Sequence, residues 1–181
     1  MNSKPLIGVI LGSSRQGRLS EVPAHWIYGL AAQRQDLRFE LMDVGPHPLP
    51  LLRAGLPSRW AAALERLAGF IVVAPEDDLP RSARHAREAA VARSAFMHKP
   101  VGFVGYGNGP GARHLEQLRS LACECQMAPV RGAVHMTLAE VMSVWQMDRG
   151  FEDYPHLARA ARDMLDELAR WVSFSGAPPR Q

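Results

Sequence analysis

Five short apolar runs, most of them trailed by a stretch with helical spacing, leave this chain few ways to fold. The runs are Leu6–Leu11, Phe39–Val44, Phe70–Ala74, Val101–Tyr106 and Val130–Met136; each has the length of a strand and draws on Val, Ile and Phe. Apolar residues between the runs recur at helical spacing. Val22, Trp26, Ile27 and Leu30 lie within 20–33, and Trp60, Leu64 and Leu67 within 59–67. An alanine-rich run covers 80–96, Leu115, Leu118, Leu121 and Ala122 fall within 112–125, and Leu157, Ala161, Leu165, Leu168 and Trp171 within 154–172. Strands that are apolar throughout, rather than alternating, belong in a parallel sheet covered on both faces. The expected fold is an α/β sandwich around a five-stranded parallel sheet of order 2-1-3-4-5, a single domain over residues 1–181.

Right-handed crossovers in such a sheet bring the segments after the first, third and fourth strands to its carboxyl edge, where ligands bind. Those segments read "GSSRQGRLS", "PEDDLPRSA" and "YGNGPGA", and each breaks regular structure with Gly, Pro or small polar residues. The first suits an anion. Ser13 and Ser14 offer hydroxyls, Arg15 and Arg18 a forked charge that matches phosphate oxygens, and the amides of residues 12–19 lead into the positive end of a helix. A plainer reading is that Ser20 caps this helix, with Glu21 and Pro23 in its first turn, while the arginines are solvated. Neither a Gly-x-Gly-x-x-Gly turn after the first strand nor a Gly-Lys-Ser/Thr loop occurs, which argues against a dinucleotide turn and a triphosphate-hydrolysing loop.

The formal charge of +3 is too small to point to nucleic acid, and no run approaches the roughly 20 apolar residues of a membrane helix. The chain is read as soluble and cytoplasmic, without nucleic-acid or membrane partners. Cys123 and Cys125, two apart on an expected helix, point in different directions and do not pair. The seven histidines lack metal-ligand spacing, and His47, His85, His98, His114, His135 and His156 are assigned to loops and helix faces. No Gly-x-Ser-x-Gly elbow supports a hydrolase, and neither a catalytic side chain nor a metal site is expected. Trp26, Trp60 and Trp171 fall on helical stripes and are assigned to the core. The stretch "TLAEVMSVWQMDRGFEDYP" at 137–155 lacks clean periodicity and reads as an apolar connection, covered either by a second subunit or by the chain's own core.

The sequence resembles the NADPH-dependent FMN reductases of the flavodoxin-like fold. The likeness is carried by "GSSRQGR" followed by Val22 and Trp26, by "APE" at 74–76, by "HKPVGFVGYGNGPGARHLEQLRSLACECQMAPVRGAV" at 98–134, and by "MLDELARW" at 164–171. It implies an FMN site whose phosphate sits in the first loop and whose ring lies between the loops after strands three and four. By that likeness Ser13, Arg15 and Arg18 match the phosphate-binding pattern, with Ser14, Leu19 and Ser20 as further candidates. Pro75 and Glu76 match the start of the third-strand loop, which continues to Asp77 and Asp78, while Tyr106, Gly107 and Asn108 match the fourth. It also implies NADPH as hydride donor, a small-molecule electron acceptor such as a flavin or quinone, and a homodimer or homotetramer.

Two departures stand out. The family commonly reads Tyr-Asn after Pro-Glu, and here Asp77 and Asp78 offer neither a stacking surface nor an amide donor. Carboxylates there oppose the negative charge a flavin gains on reduction, and are expected to lower its potential or affinity. The helix that follows carries Arg81, Arg84, His85, Arg87 and Arg93, which suit a nucleotide-phosphate patch, an interface or a solvated face. The rival to an FMN reductase is therefore a flavodoxin-like binding or interaction protein that has altered or lost the ring site.

Overall fold

The computed structural model describes residues 4–11, 19–43, 63–76, 93–108 and 113–175. In chain order these form β1 (Leu6–Leu11), α1 (Glu21–Ala31), β2 (Arg38–Asp43), a helical turn at 63–65, β3 (Gly69–Pro75), α2 (Arg93–Phe96), β4 (Pro100–Gly107) and α3 (Arg113–Glu124). β5 (Ala128–Thr137), α4 (Leu138–Trp145), a 3-10 turn (Phe151–Asp153) and α5 (Pro155–Ser175) complete the fold. The proline-rich stretch at 45–57, Trp60, His47, His85 and the arginines at 81–87 lie outside the described residues.

All five strands pair in parallel in the order β2-β1-β3-β4-β5. Every residue of β4 is buried, whereas β2, at one edge, buries only Met42; a strand covered on both faces has no room for polar alternation. Side chains alternate across the sheet and build two cores. On one face Val9, Ile71, Val104 and Val134 pack beneath Ile27 of α1, Val141 of α4 and Leu168 of α5. On the other, Phe70, Phe103 and Ile10 pack beneath Leu115 and Leu118 of α3 and Phe96 of α2. Lys99 donates to the carbonyls of Leu64 (2.8 Å) and Glu65 (3.1 Å), closing the end of the helical turn at 63–65.

The stretch 137–155 is ordered rather than irregular. Thr137 and Glu140 form a capping box that starts α4: the Glu140 amide donates to Thr137 Oγ1 at 3.2 Å, and the Thr137 amide donates to the Glu140 carboxylate at 2.7 Å. Val141 is fully buried against the chain's own core and Phe151 packs on Trp26 with ring centroids 4.9 Å apart, yet Trp145 and Met147 face outward. The buried stripe of α5 runs through Leu157, Ala161, Met164, Leu165, Leu168 and Val172. Trp171 sits one position off that stripe and is 43% exposed, which corrects its assignment to the core.

β5 bulges where Val101 pairs with Pro129 but Phe103 pairs with Ala133. The backbone groups freed there find side chains. Glu167 of α5 accepts from the amides of Arg131 (2.9 Å) and Gly132 (2.8 Å), and Arg119 of α3 donates to the carbonyls of Val130 and Arg131. A Cβ on Gly132 would come within 2.9 Å of the Met164 Cα, so only glycine lets α5 approach the bulge this closely.

Candidate functional site

The carboxyl ends of β1, β3 and β4 lie side by side: Leu11 pairs with Val73, and Pro75 with Tyr106. Of the residues expected to bind a cofactor, Ser13, Ser14, Arg15, Arg18, Asp77 and Asp78 fall outside the described residues. Leu19, Ser20, Pro75, Glu76, Tyr106, Gly107 and Asn108 all come to this edge.

Ser20 sits where the first loop enters α1, but it does not cap the helix. Its backbone is already helical (φ −60°, ψ −22°), its side chain makes no capping bond, and its hydroxyl instead pairs with the Tyr106 phenol at 2.6 Å. The capping expectation is therefore corrected: with a helical backbone the Oγ turns away from the first-turn amides. Ser20 is fully buried and Tyr106 is 5% exposed. The Tyr106 ring belongs to the core on the α1 face, and its bond to Ser20 fastens the exit of the first loop to the end of β4.

Pro75 is buried as the last residue of β3, and the half-buried Glu76 turns back over β4. A Cβ on Gly107 would collide with both the Cβ and a carboxylate oxygen of Glu76. Two residues earlier, a Cβ on Gly105 would collide with Nε2 of His114. Beyond Gly107 the chain surfaces at the exposed Asn108.

His114 lies on α3, a helix as expected, but is only 3% exposed; His135 corrects the assignment to loops and helix faces, since it is a residue of β5, and its ring centroid is 5.5 Å from that of His114. Burial lowers the proton affinity of the His114 ring, His135 lowers it further, and Glu76 opposes both effects. Burial likewise lowers that of His135, against the pull of Glu140 and Glu76. Among the described residues neither His114 Nε2 nor His135 Nδ1 has a hydrogen-bond partner, and both atoms are buried. The positions are far apart in sequence, so only the register that pairs Gly105 with His135 brings these rings together. No group of three metal-ligating side chains occurs among the described residues, and none of their helices is long and apolar enough to cross a membrane.

The strand order and a ligand edge at the ends of β1, β3 and β4 define a flavodoxin-like α/β protein. Residues 5–140 match the family described as NADPH-dependent FMN reductase. The chain belongs to that family, and its class is that of the flavin oxidoreductases. Solved structures share the fold at low identity. An oxidoreductase from Corynebacterium diphtheriae is 14% identical with a TM-score of 0.66, covering 96% of this chain and 99% of its own. The apo form of an NADH:FMN oxidoreductase is 16% identical with a TM-score of 0.61, covering 97% and 92%. General stress protein 14 from Treponema denticola, in complex with FMN, is 12% identical with a TM-score of 0.54, covering 92% and 99%. No curated protein sequence matches this chain significantly.

The described residues fit an FMN. The positive end of the eleven-residue α1 faces the edge directly after the serine- and arginine-rich loop. Glu76 covers the buried Gly107, and the chain beyond it surfaces at Asn108, so the polar groups this edge offers a flat ring are the Glu76 carboxylate and the exposed Asn108.

Proposed function

We propose that this protein is an NAD(P)H-dependent oxidoreductase that binds FMN across the ends of β1, β3 and β4 and passes reducing equivalents to a small acceptor such as a flavin or a quinone. The observation that carries the reading is the Ser20–Tyr106 bond at 2.6 Å. It holds the exit of the loop that suits a phosphate against the strand whose loop suits a ring, within the span that matches the family.

The flavin, when bound, supplies the hydride chemistry itself. The protein's task is to hold and orient. Ser13, Ser14, Arg15 and Arg18 grip the phosphate together with the amide end of α1; Leu19 and Ser20 shape the loop exit. Pro75, Glu76, Asp77 and Asp78 form one wall, and Tyr106, Gly107 and Asn108 the other. NADPH is the assigned donor, the cytoplasm the assigned compartment and a homodimer or homotetramer the assigned assembly, in line with the family.

Titration of the purified chain with FMN, followed by flavin fluorescence quenching, tests the reading. Arg15→Ala is expected to weaken binding by roughly 1.5 to 3 kcal/mol, the scale of a charge-assisted hydrogen bond. A colourless chain that neither binds FMN nor oxidises NADPH overturns the enzyme and leaves a binding protein on the same scaffold.

A further inference from the structure

In β4, "VGFVGYG", Gly105 and Gly107 project to the same face of the sheet and strip two Cβ atoms from a central strand, where glycine weakens packing. The fold does not need this: Phe103 fills the same face with no such gap. What fills the gaps is polar. The Nε2 of His114 takes the space beside Gly105, the carboxylate of Glu76 takes the space beside Gly107, and His135 flanks Gly105 from the neighbouring strand. Three ionisable groups, from α3, the end of β3 and β5, thus share one patch at the carboxyl edge.

Two of their atoms are orphans. His114 Nε2 and His135 Nδ1 are buried without partners among the described residues, so each has given up its bond to water for none from those residues. A neutral imidazole offers one donor and one acceptor, so a single added proton turns one bare nitrogen into a donor beside a carboxylate. A second proton meets the charge of the first. Among the described residues the further charged group that acts on the patch is Glu140 of α4, which acts on His135 and also lies 3.1 Å from His156 of α5.

We propose that Glu76, His114 and His135 form one proton-holding site, in which the two imidazoles share a single exchangeable proton that enters and leaves past the Glu76 carboxylate at the base of the loop after β3. Uptake forms one N–H bond from an imidazole lone pair and a proton from solvent, and nothing is oxidised or reduced. The site stands on this geometry alone. Its use, offsetting negative charge gained by a molecule at the loop tips, rests on the flavin reading.

Imidazole-nitrogen NMR of the full, ligand-free chain between pH 4.5 and 8.5 tests it. The rings of His114 and His135 are expected to shift together in one single-proton step on the acid side of an ordinary imidazole, and the Glu76 carboxyl carbon is expected to report the same step through its altered surroundings. Glu76→Gln is expected to move that step about tenfold, one pH unit, further to acid. Rings that titrate independently, a step indifferent to Glu76→Gln, or no uptake before the chain unfolds each overturn the proposal. The carboxyl inflection is read on the unaltered chain, so a Glu76→Gln variant that fails to fold still leaves a decision. FMN titration of the same samples separates the two readings. A shared step without FMN binding sinks the flavin reading alone, and FMN binding with independent titration sinks the proton site alone.

Discussion

At the scale of single residues, the Ser20–Tyr106 pair joins the start of α1 to the end of β4, 86 residues apart in sequence. Tyr106→Phe is expected to cost about 0.5–1.5 kcal/mol, because the fully buried Ser20 hydroxyl loses its phenol partner. Ser20→Ala is expected to cost a similar amount, and the double variant less than the sum of the two. Chemical denaturation of all three checks this; strict additivity would show that the hydroxyls act independently. The sequence marks both positions as belonging to the site, but it does not tell a cap from a cross-link. Serine serves both, and only the helical backbone at position 20 decides. The histidine pair is harder to read. Its signal is the alternate glycines of β4, which mean little until the register shows what occupies their faces.

Among elements, strands are the most legible. All five runs form strands within two residues of the expected ends, since continuous apolar stretches leave no other way to satisfy a buried backbone. Helix α4, which the irregular apolar pattern around it obscures, is announced only by Thr-x-x-Glu at 137–140, its capping box. The bulge in β5 has no legible signal, because the residues that satisfy it sit on two other elements. Glu167→Ala strips the Arg131 and Gly132 amides of their acceptor. It is expected to cost roughly 1–3 kcal/mol and to speed amide exchange at 131–132, with Glu167→Gln recovering part of the loss. Unchanged exchange at those amides would show that the bulge does not depend on α5.

For the whole molecule, the buried imidazoles set how stability follows pH. Both have lowered proton affinity in the fold, so below about pH 6.5 the unfolded chain binds more protons than the native one. Their contribution is complete above that pH and is lost as the pH falls through it. The thermal midpoint is expected to be lower at pH 5.5 than at pH 7.5, by about 2–4 °C for each kcal/mol of linkage, and the drop to shrink in His135→Gln. Equal slopes in the two proteins would remove the histidines as the cause.

The bulge in β5 also bears on how copies of the chain behave when crowded. β5 is one of the sheet's two outer strands, and part of its main chain is already engaged by a glutamate on one helix and an arginine on another. A foreign strand seeking to lengthen the sheet there finds a kinked, occupied template. Ribbon-like association is thus left only the opposite rim, at β2.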